Sequence, residues 1–441
     1  MRRVFNTAAA GYLARFGSAA TLLVTIPLAR HQLAPELFGV WMMLSALLGF
    51  FVFADLGVGN GVLNRMTAAF SKGDRAEAAS VIVAGYFCTG ATALLLLLAW
   101  SAWCLLAVDP LRFAGTISAP HHAEVLRAFC AFVGLMSLNL PLGLVQKLQL
   151  GCQDGQWVGV TQFSASMISL AAIPLALYLQ LDLSLLVLAS LGTQVLANLL
   201  SSLLWLQRRG YLGSLRSAFL RRAQVLALLH DGSWFFILQL SAAFAFQSDA
   251  FVIAQLLGQP AYGDFAAVQK IFFSLSSLFG AALLGLWPAF GEALNNGDLA
   301  WAGRTLRRAL LTGLAVMGSL CLTAVLAMPW LSRVWLHMEI PPPMLLPAML
   351  AIWTVMDTLS AICASFLNGA GVLRAQVLVA LAMAALSFAG KWWLVARLGT
   401  AGAPMATLLA YSLISAPAIV YLLRQLFLQH SQTLAVRTVE T

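Results

Sequence analysis

Long apolar runs, nearly free of charge, recur about twelve times along this chain of 441 residues. Roughly 20 such residues coiled as an α-helix rise about 30 Å, the thickness of a bilayer's hydrocarbon core. The approximate windows are 9–29, 38–62, 81–107, 123–145, 158–180, 184–206, 232–256, 264–288, 307–330, 345–367, 375–395 and 404–426. Lipid offers no partner to a backbone N–H or C=O, so only helices fit these runs. Composition agrees: 61% of residues are hydrophobic and 9% are charged, against roughly 25% charged in a soluble domain. The chain reads as an all-α polytopic membrane protein of about twelve transmembrane helices.

An internal repeat lies over these runs. LAPELFG (33–39) leads through an apolar run to DLGVGNGVLNR (55–65) and KGD (72–74); LGQPAYG (257–263) leads through another to NGD (296–298). The differences 257 minus 33, 263 minus 39 and 297 minus 73 all equal 224, about half the chain. A fixed offset of that size predicts duplication of a whole half. Six helices per half is an even number, so both halves enter the membrane in the same sense. That predicts two parallel six-helix lobes around a central cavity, a geometry suited to alternating access. The expected domains are an N-terminal lobe at 1–207, a basic cytoplasmic linker at 208–231 and a C-terminal lobe at 232–441. The linker segment RRGYLGSLRSAFLRR (208–222) mixes Arg with Leu and Phe. It reads either as an interfacial amphipathic helix held by anionic lipid or as a solvated basic tether.

Charge follows the loops. Of 25 Lys and Arg, five (Arg30, Arg112, Arg127, Arg333, Arg397) fall on one side and three (Arg15, Lys270, Lys391) within spans. The remaining 17 share the side of the N-terminus, which predicts that both termini are cytoplasmic. The net charge of +9 therefore belongs to membrane topology, and no nucleic-acid partner is expected. The opening MRR resembles a signal peptide, but Arg15 interrupts the apolar core and the run extends to Ala29, predicting an uncleaved first span. Six scattered cysteines, with no CxxC and no histidine at ligand spacing, predict packing roles and no metal site.

LAPELFGVW, DLGVGNGVLNR and KGD resemble the start of the polysaccharide transporter (O-antigen flippase) family, related to multidrug and toxin extrusion transporters and lipid II flippases. SDAFVIAQLLGQPAYGDFAAVQ (248–269) is similar to that family's seventh and eighth helices, and LWPAFGEALNNGD (286–298) to its next cytoplasmic exit. The resemblance implies a flippase that turns undecaprenyl-pyrophosphate-linked oligosaccharide from the cytoplasmic to the periplasmic leaflet of a bacterial inner membrane. Its partners would be membrane lipids and the polymerase and glycosyltransferases of surface polysaccharide assembly. It requires no cofactor, with coupling to H+ or Na+ left open. Members commonly present cations to the central cavity, a role the resemblance transfers to Arg15 and Lys270.

Charges inside a bilayer are costly, so each needs a partner or water. Arg15 and Asp55 lie about 9 and 11 Å inside the cytoplasmic ends of the first two spans. Asp249 and Lys270 lie about 11 and 9 Å below the outer ends of the seventh and eighth. Each couple reads either as a structural ion pair or as a cation lining the lumen with an acid that releases it. Asp357, near mid-bilayer, reads as a proton carrier or as a carboxyl bonded to Ser or Thr neighbours. Lys391 is expected to snorkel to the outer interface. Asn139, Gln239 and Gln247 are candidates for sugar hydroxyls, with helix-to-helix bonding as the alternative. Gly57, Gly59 and Gly61 should loosen the second span, and Pro27, Pro141, Pro174 and Pro288 should bend theirs.

Other functions fit less well. A glycosyltransferase or polymerase would show a large external loop or an interfacial carboxylate cluster, and no catalytic set is present, so an enzyme is not expected. An organic cation exporter of the same fold should carry an acidic cavity without compensating cations. A non-transporting scaffold would tolerate neutralisation of the buried charges.

Overall fold

The computed structural model describes residues 2–51, 55–211, 220–283, 286–295, 298–338, 342–370 and 374–439. They are helical almost throughout, with no strand among the described residues. The first half supplies α1 (Arg2–Gln32), α2 (Pro35–Phe51), α3 (Val58–Lys72), α4 (Arg75–Leu106), α5 (Ala119–Gly151), α6 (Gly155–Tyr178) and α7 (Leu183–Arg208). The second supplies α8 (Arg222–Leu257), α9 (Gln259–Leu283), α10 (Leu286–Asn295), α11 (Leu299–Trp335), α12 (Leu345–Gly369), α13 (Arg374–Leu398), α14 (Gly402–Ala410) and α15 (Ala416–Val439). Eight stretches among the described residues are long and apolar enough to cross a membrane. One of them, Ala375–Leu428, has 54 residues, far more than the ~20 that one crossing needs, and a 3-10 turn at Gly399–Ala401 interrupts it.

The second window is not one helix. α2 ends at Phe51 and α3 starts at Val58, across left-handed residues Leu56 (φ 55°) and Gly57 (φ 77°). Asp55 seals the break: its two carboxylate oxygens accept the Gly57 and Gly59 amides at 2.9 and 3.0 Å. These are the otherwise unpaired donors of a helix start. Asp55, expected beside Arg15, thus serves as a backbone cap at this break.

The repeat has structural equivalents. Asp74 caps α4 by accepting the Glu77 amide, and Asp298 caps α11 by accepting that of Trp301, both at 2.9 Å. The two aspartates differ by 298 minus 74, again 224.

The chain packs as two compact units, 1–243 with 257–266 and 244–256 with 267–441. Within the first, α1 lies close along α6. A Cβ added to Gly159 would stand 2.5 Å from the Ala10 backbone, and Thr21 donates to the Ser166 carbonyl at 3.0 Å. Small residues and hydroxyl bonds of this kind draw helices together where lipid gives no hydrophobic drive. Val58, Val62 and Met66 of α3 pack with Ile82, Leu148 and Trp205 in the core of this unit. In the second unit the rings of Phe290 and Phe366 meet edge to face at 5.2 Å in a core shared with Leu306 and Ile362.

Part of the linker, 212–219, lies outside the described residues. Its first arginines make contacts within the first unit: Arg209 pairs with Asp154, which also accepts the Trp205 indole N–H at 2.9 Å, and the exposed Arg208 lies 4.6 Å above the Trp157 ring. The six cysteines are free thiols, with Cys88, Cys152, Cys321 and Cys363 buried.

Candidate functional site

Polar side chains inside the first unit converge on a cavity of about 240 Å³ lined by Asp55, Asn139, Gln146, Lys147, Gln194 and Asn198. Helical spacing explains the convergence. On α5, positions 139, 143, 146 and 147 fall on one face, and on α7 positions 194 and 198 are one turn apart. Gly143 keeps the α5 wall low, since a Cβ there would lie 3.7 Å from the Asn198 amide nitrogen.

The amides form a chain. Gln162 donates to Gln146 at 3.1 Å, Gln146 to Asn198 at 2.9 Å and Asn198 to Asn139 at 2.8 Å; Gln194 also donates to Asn198, at 3.2 Å. An amide offers two donors and two acceptor lone pairs. Among the described residues these bonds leave the NH2 of Asn139 and the carbonyl of Gln194 for another partner. At the cavity's edge Lys147 donates to Asn60 at 2.9 Å. The arrangement combines spare amide donors and acceptors with one ammonium and one carboxylate, which also accepts two backbone amides. With its two charges balanced and its amides spare, such a lining suits a neutral polyol.

Lys147, counted by sequence among the cations of the cytoplasmic side, sits on α5 and lines this cavity. The polar stripe Asn139, Gln146 and Lys147 in an otherwise apolar helix is the sequence signal for this face.

The second unit holds a different polar centre. Lys391 is wholly buried, with its ammonium 2.6 Å from Asp249 Oδ1 and donating to Ser248 Oγ at 3.0 Å. Gln269 donates to the other Asp249 oxygen at 3.2 Å. This joins α8, α9 and α13. It overturns two expectations: Lys391 does not snorkel, and Asp249 pairs with Lys391 rather than Lys270. A lysine in the outer half of a helix snorkels only when its stem faces lipid, and α13 turns this one toward a buried carboxylate.

The ammonium of Lys270 stands 5.7 Å from the Phe273 ring centroid, a cation–π contact along its own helix. Asp357 of α12 accepts from Ser276 of α9 at 3.3 Å. Gln247 is half-buried on α8, and the side chain of Gln239 lies outside the described residues. Arg15, half-buried on α1, belongs to the first unit and Lys270 to the second. The cavity therefore gathers Asp55 and Asn139 from the expected set and leaves Asp249, Lys270 and Asp357 elsewhere. Among the described residues no His, Cys, Asp and Glu cluster suits a metal ion.

A profile for polysaccharide biosynthesis proteins matches residues 9–294, which include every residue lining the cavity. The chain belongs to that family. Solved structures agree on the fold of this family member. An inward-facing multidrug resistance transporter of the MATE family within the MOP superfamily superposes with TM-score 0.75 at 14% identity, covering 95% of each chain. An outward-facing structure of such a transporter gives 0.67 at 13%, over 96% of this chain and 95% of that one. A MOP superfamily transporter from Pyrococcus furiosus, described as having a binding pocket of reverse polarity, gives 0.69 at 12%, over 96% and 95%. No curated protein matches. Family, apolar helices and fold make this a multi-pass membrane protein of the polysaccharide biosynthesis family with the fold of MATE transporters.

Proposed function

We propose that this protein flips an undecaprenyl-pyrophosphate-linked oligosaccharide from the cytoplasmic to the periplasmic leaflet of a bacterial inner membrane, for assembly of a surface polysaccharide. The observation that carries the reading is the amide-lined cavity with Lys147 at its edge, inside the stretch that matches the polysaccharide biosynthesis family. Sugar hydroxyls both donate and accept, as do the amides of Asn139 and Gln194, and an ammonium suits an acidic sugar or phosphate. Arg15 and Lys270 serve as further cations for the pyrophosphate during the cycle, with Gln239 and Gln247 offering hydroxyl contacts. Asp249 and Asp357 remain candidates for coupling to H+ or Na+.

The topology proposed with this function has both termini in the cytoplasm, two six-helix lobes divided by the linker at 208–231, and alternating access. Polymerase and glycosyltransferases are its proposed partners.

Export of organic cations is the rival on the same fold. An acidic cavity without a compensating cation would favour it, but Asp55 shares the cavity lining with Lys147.

The test is complementation of a strain lacking this gene, read by surface glycan and by resistance to cationic drugs. Lys147→Ala and Asn139→Ala should each cut glycan delivery at least tenfold without changing resistance. Normal glycan delivery in both, with resistance lost, would sink the proposal.

A further inference from the structure

α11 and α15 both belong to the second unit. Three reversals of the chain separate them, after α11, α12 and α13, so the two run in opposite senses. The start of α11 meets the second half of α15. A Cβ added to Gly303 would stand 3.2 Å from the Phe427 ring, which itself stacks on Phe366 with centroids 5.6 Å apart. That contact fixes the level of one helix against the other. One turn away from it, Arg307 on α11 and Arg424 on α15 arrive at the same height.

Two features of this seam are left unused by the fold. The first is a groove of about 440 Å³, lined among the described residues by Val420, Leu423, Arg424, Phe427 and Leu428. Spacings of three and four residues put these on one face of α15, and apart from Arg424 that face is apolar. The second is charge. Arg304, Arg307, Arg308 and Arg424 are exposed, and among the described residues none of the four is held in an ion pair. Trp301 is 37% exposed, and tryptophan settles at the membrane interface. The arginines of α11 follow it by 3 to 7 residues, about 5 to 10 Å deeper at 1.5 Å per residue. A guanidinium at that depth is costly unless its stem carries it back to a phosphate.

We propose that this face binds one anionic phospholipid, its phosphate held by Arg307 and Arg424 across the seam and one acyl chain lying in the groove from Val420 to Leu428. Guanidinium groups grip phosphate through paired N–H donors. Arg304 and Arg308 add a positive field that favours an anionic headgroup over a zwitterionic one. Charge complementarity names the head and the apolar face names the tail. Free phosphate would leave the groove empty, and a neutral lipid would leave the arginines unmatched. On the proposed topology the lipid belongs to the cytoplasmic leaflet. The inference is independent of what the chain transports.

The test uses the full chain in a neutral detergent, titrated with phosphatidylglycerol or with phosphatidylcholine of the same acyl chains, with bound lipid counted by native mass spectrometry. One phosphatidylglycerol should be retained at a concentration at least tenfold below that needed for phosphatidylcholine, and inorganic phosphate should not displace it. Arg307→Gln with Arg424→Gln should weaken retention at least tenfold, and Arg307→Lys with Arg424→Lys should weaken it less. Val420→Trp, at an exposed position, fills the groove and should weaken retention at least threefold with all four arginines in place. Arg333→Gln with Arg397→Gln, at the opposite ends of α11 and α13, should leave it unchanged. Thermal melting without lipid checks the folding of each variant, and should the glutamine pair melt early, Arg424→Gln alone carries the comparison. Equal retention of the two lipids, native retention by the arginine or Val420→Trp variants, displacement by inorganic phosphate, or an equal loss in the Arg333 and Arg397 pair overturns the proposal.

Discussion

Lys391 and Asp249 form a buried ion pair at 2.6 Å, with the lysine wholly enclosed. Each charge makes the other tolerable, and Ser248 and Gln269 occupy remaining hydrogen-bonding sites. Removing one member of such a pair leaves a stranded charge, a loss of about 3–5 kcal/mol, whereas replacing both with apolar residues is often neutral. Lys391→Met alone should therefore lower thermal stability in detergent sharply. Lys391→Met with Asp249→Leu should recover most of it. If the double variant melts no higher than the single one, the pair is not the source of the loss.

Asn139 and Asn198 separate binding from packing. Asn198→Ala removes a residue bonded to Asn139, Gln146 and Gln194 together, and stranding buried amides costs about 1–3 kcal/mol. Asn139→Ala removes the end of the chain, so its melting temperature should stay closer to that of the native protein while glycan delivery falls. Thermal unfolding set beside delivery assays distinguishes the two, and equal destabilisation would make Asn139 a packing residue.

The repeated helix caps make a paired prediction. Asp74→Ala and Asp298→Ala should each cost about 1 kcal/mol, the usual loss of an N-cap. Asp→Asn at either position should cost less, because the amide oxygen still accepts. Chemical unfolding of the four variants measures this directly.

Outside the spans, two carboxyls set a dependence on acid. Burial pushes the Glu36 carboxyl up, but hydrogen bonds from the Ser118 hydroxyl and amide outweigh it and hold it below its ordinary 4.5. The Leu111 amide, then His122, holds Asp109 below its ordinary 3.8. A carboxyl lowered by folding adds stability that is complete above its unfolded value and is lost as pH falls through its folded one. Stability should thus decline below about pH 4.5 as the α2 start loses its hold on Ser118. Glu36→Gln should flatten that decline, and a melting profile from pH 7 to pH 3 would expose an unchanged slope.

The apolar runs made the helical membrane class legible, because runs of about 20 apolar residues fit a bilayer as helices that pair their own backbone, and the family was legible through the resemblance carried by LAPELFGVW, DLGVGNGVLNR and KGD. The repeat was legible even at single residues: Asp74 and Asp298 cap helices in both halves. Depth along a span could be counted, but level alone does not name the partner of Asp249, which is Lys391. The azimuth of each helix about its own axis is set by packing, and it was azimuth that turned Lys391 to Asp249 and Lys147 to Asn60. Sequence by itself determined that this chain crosses a membrane many times, since that follows from local hydrophobicity. Only the tertiary structure decided which polar groups meet, because partners such as Asn139 and Asn198, or Ser248 and Lys391, lie far apart in the chain and are joined by the way helices rotate to bury their small and polar faces.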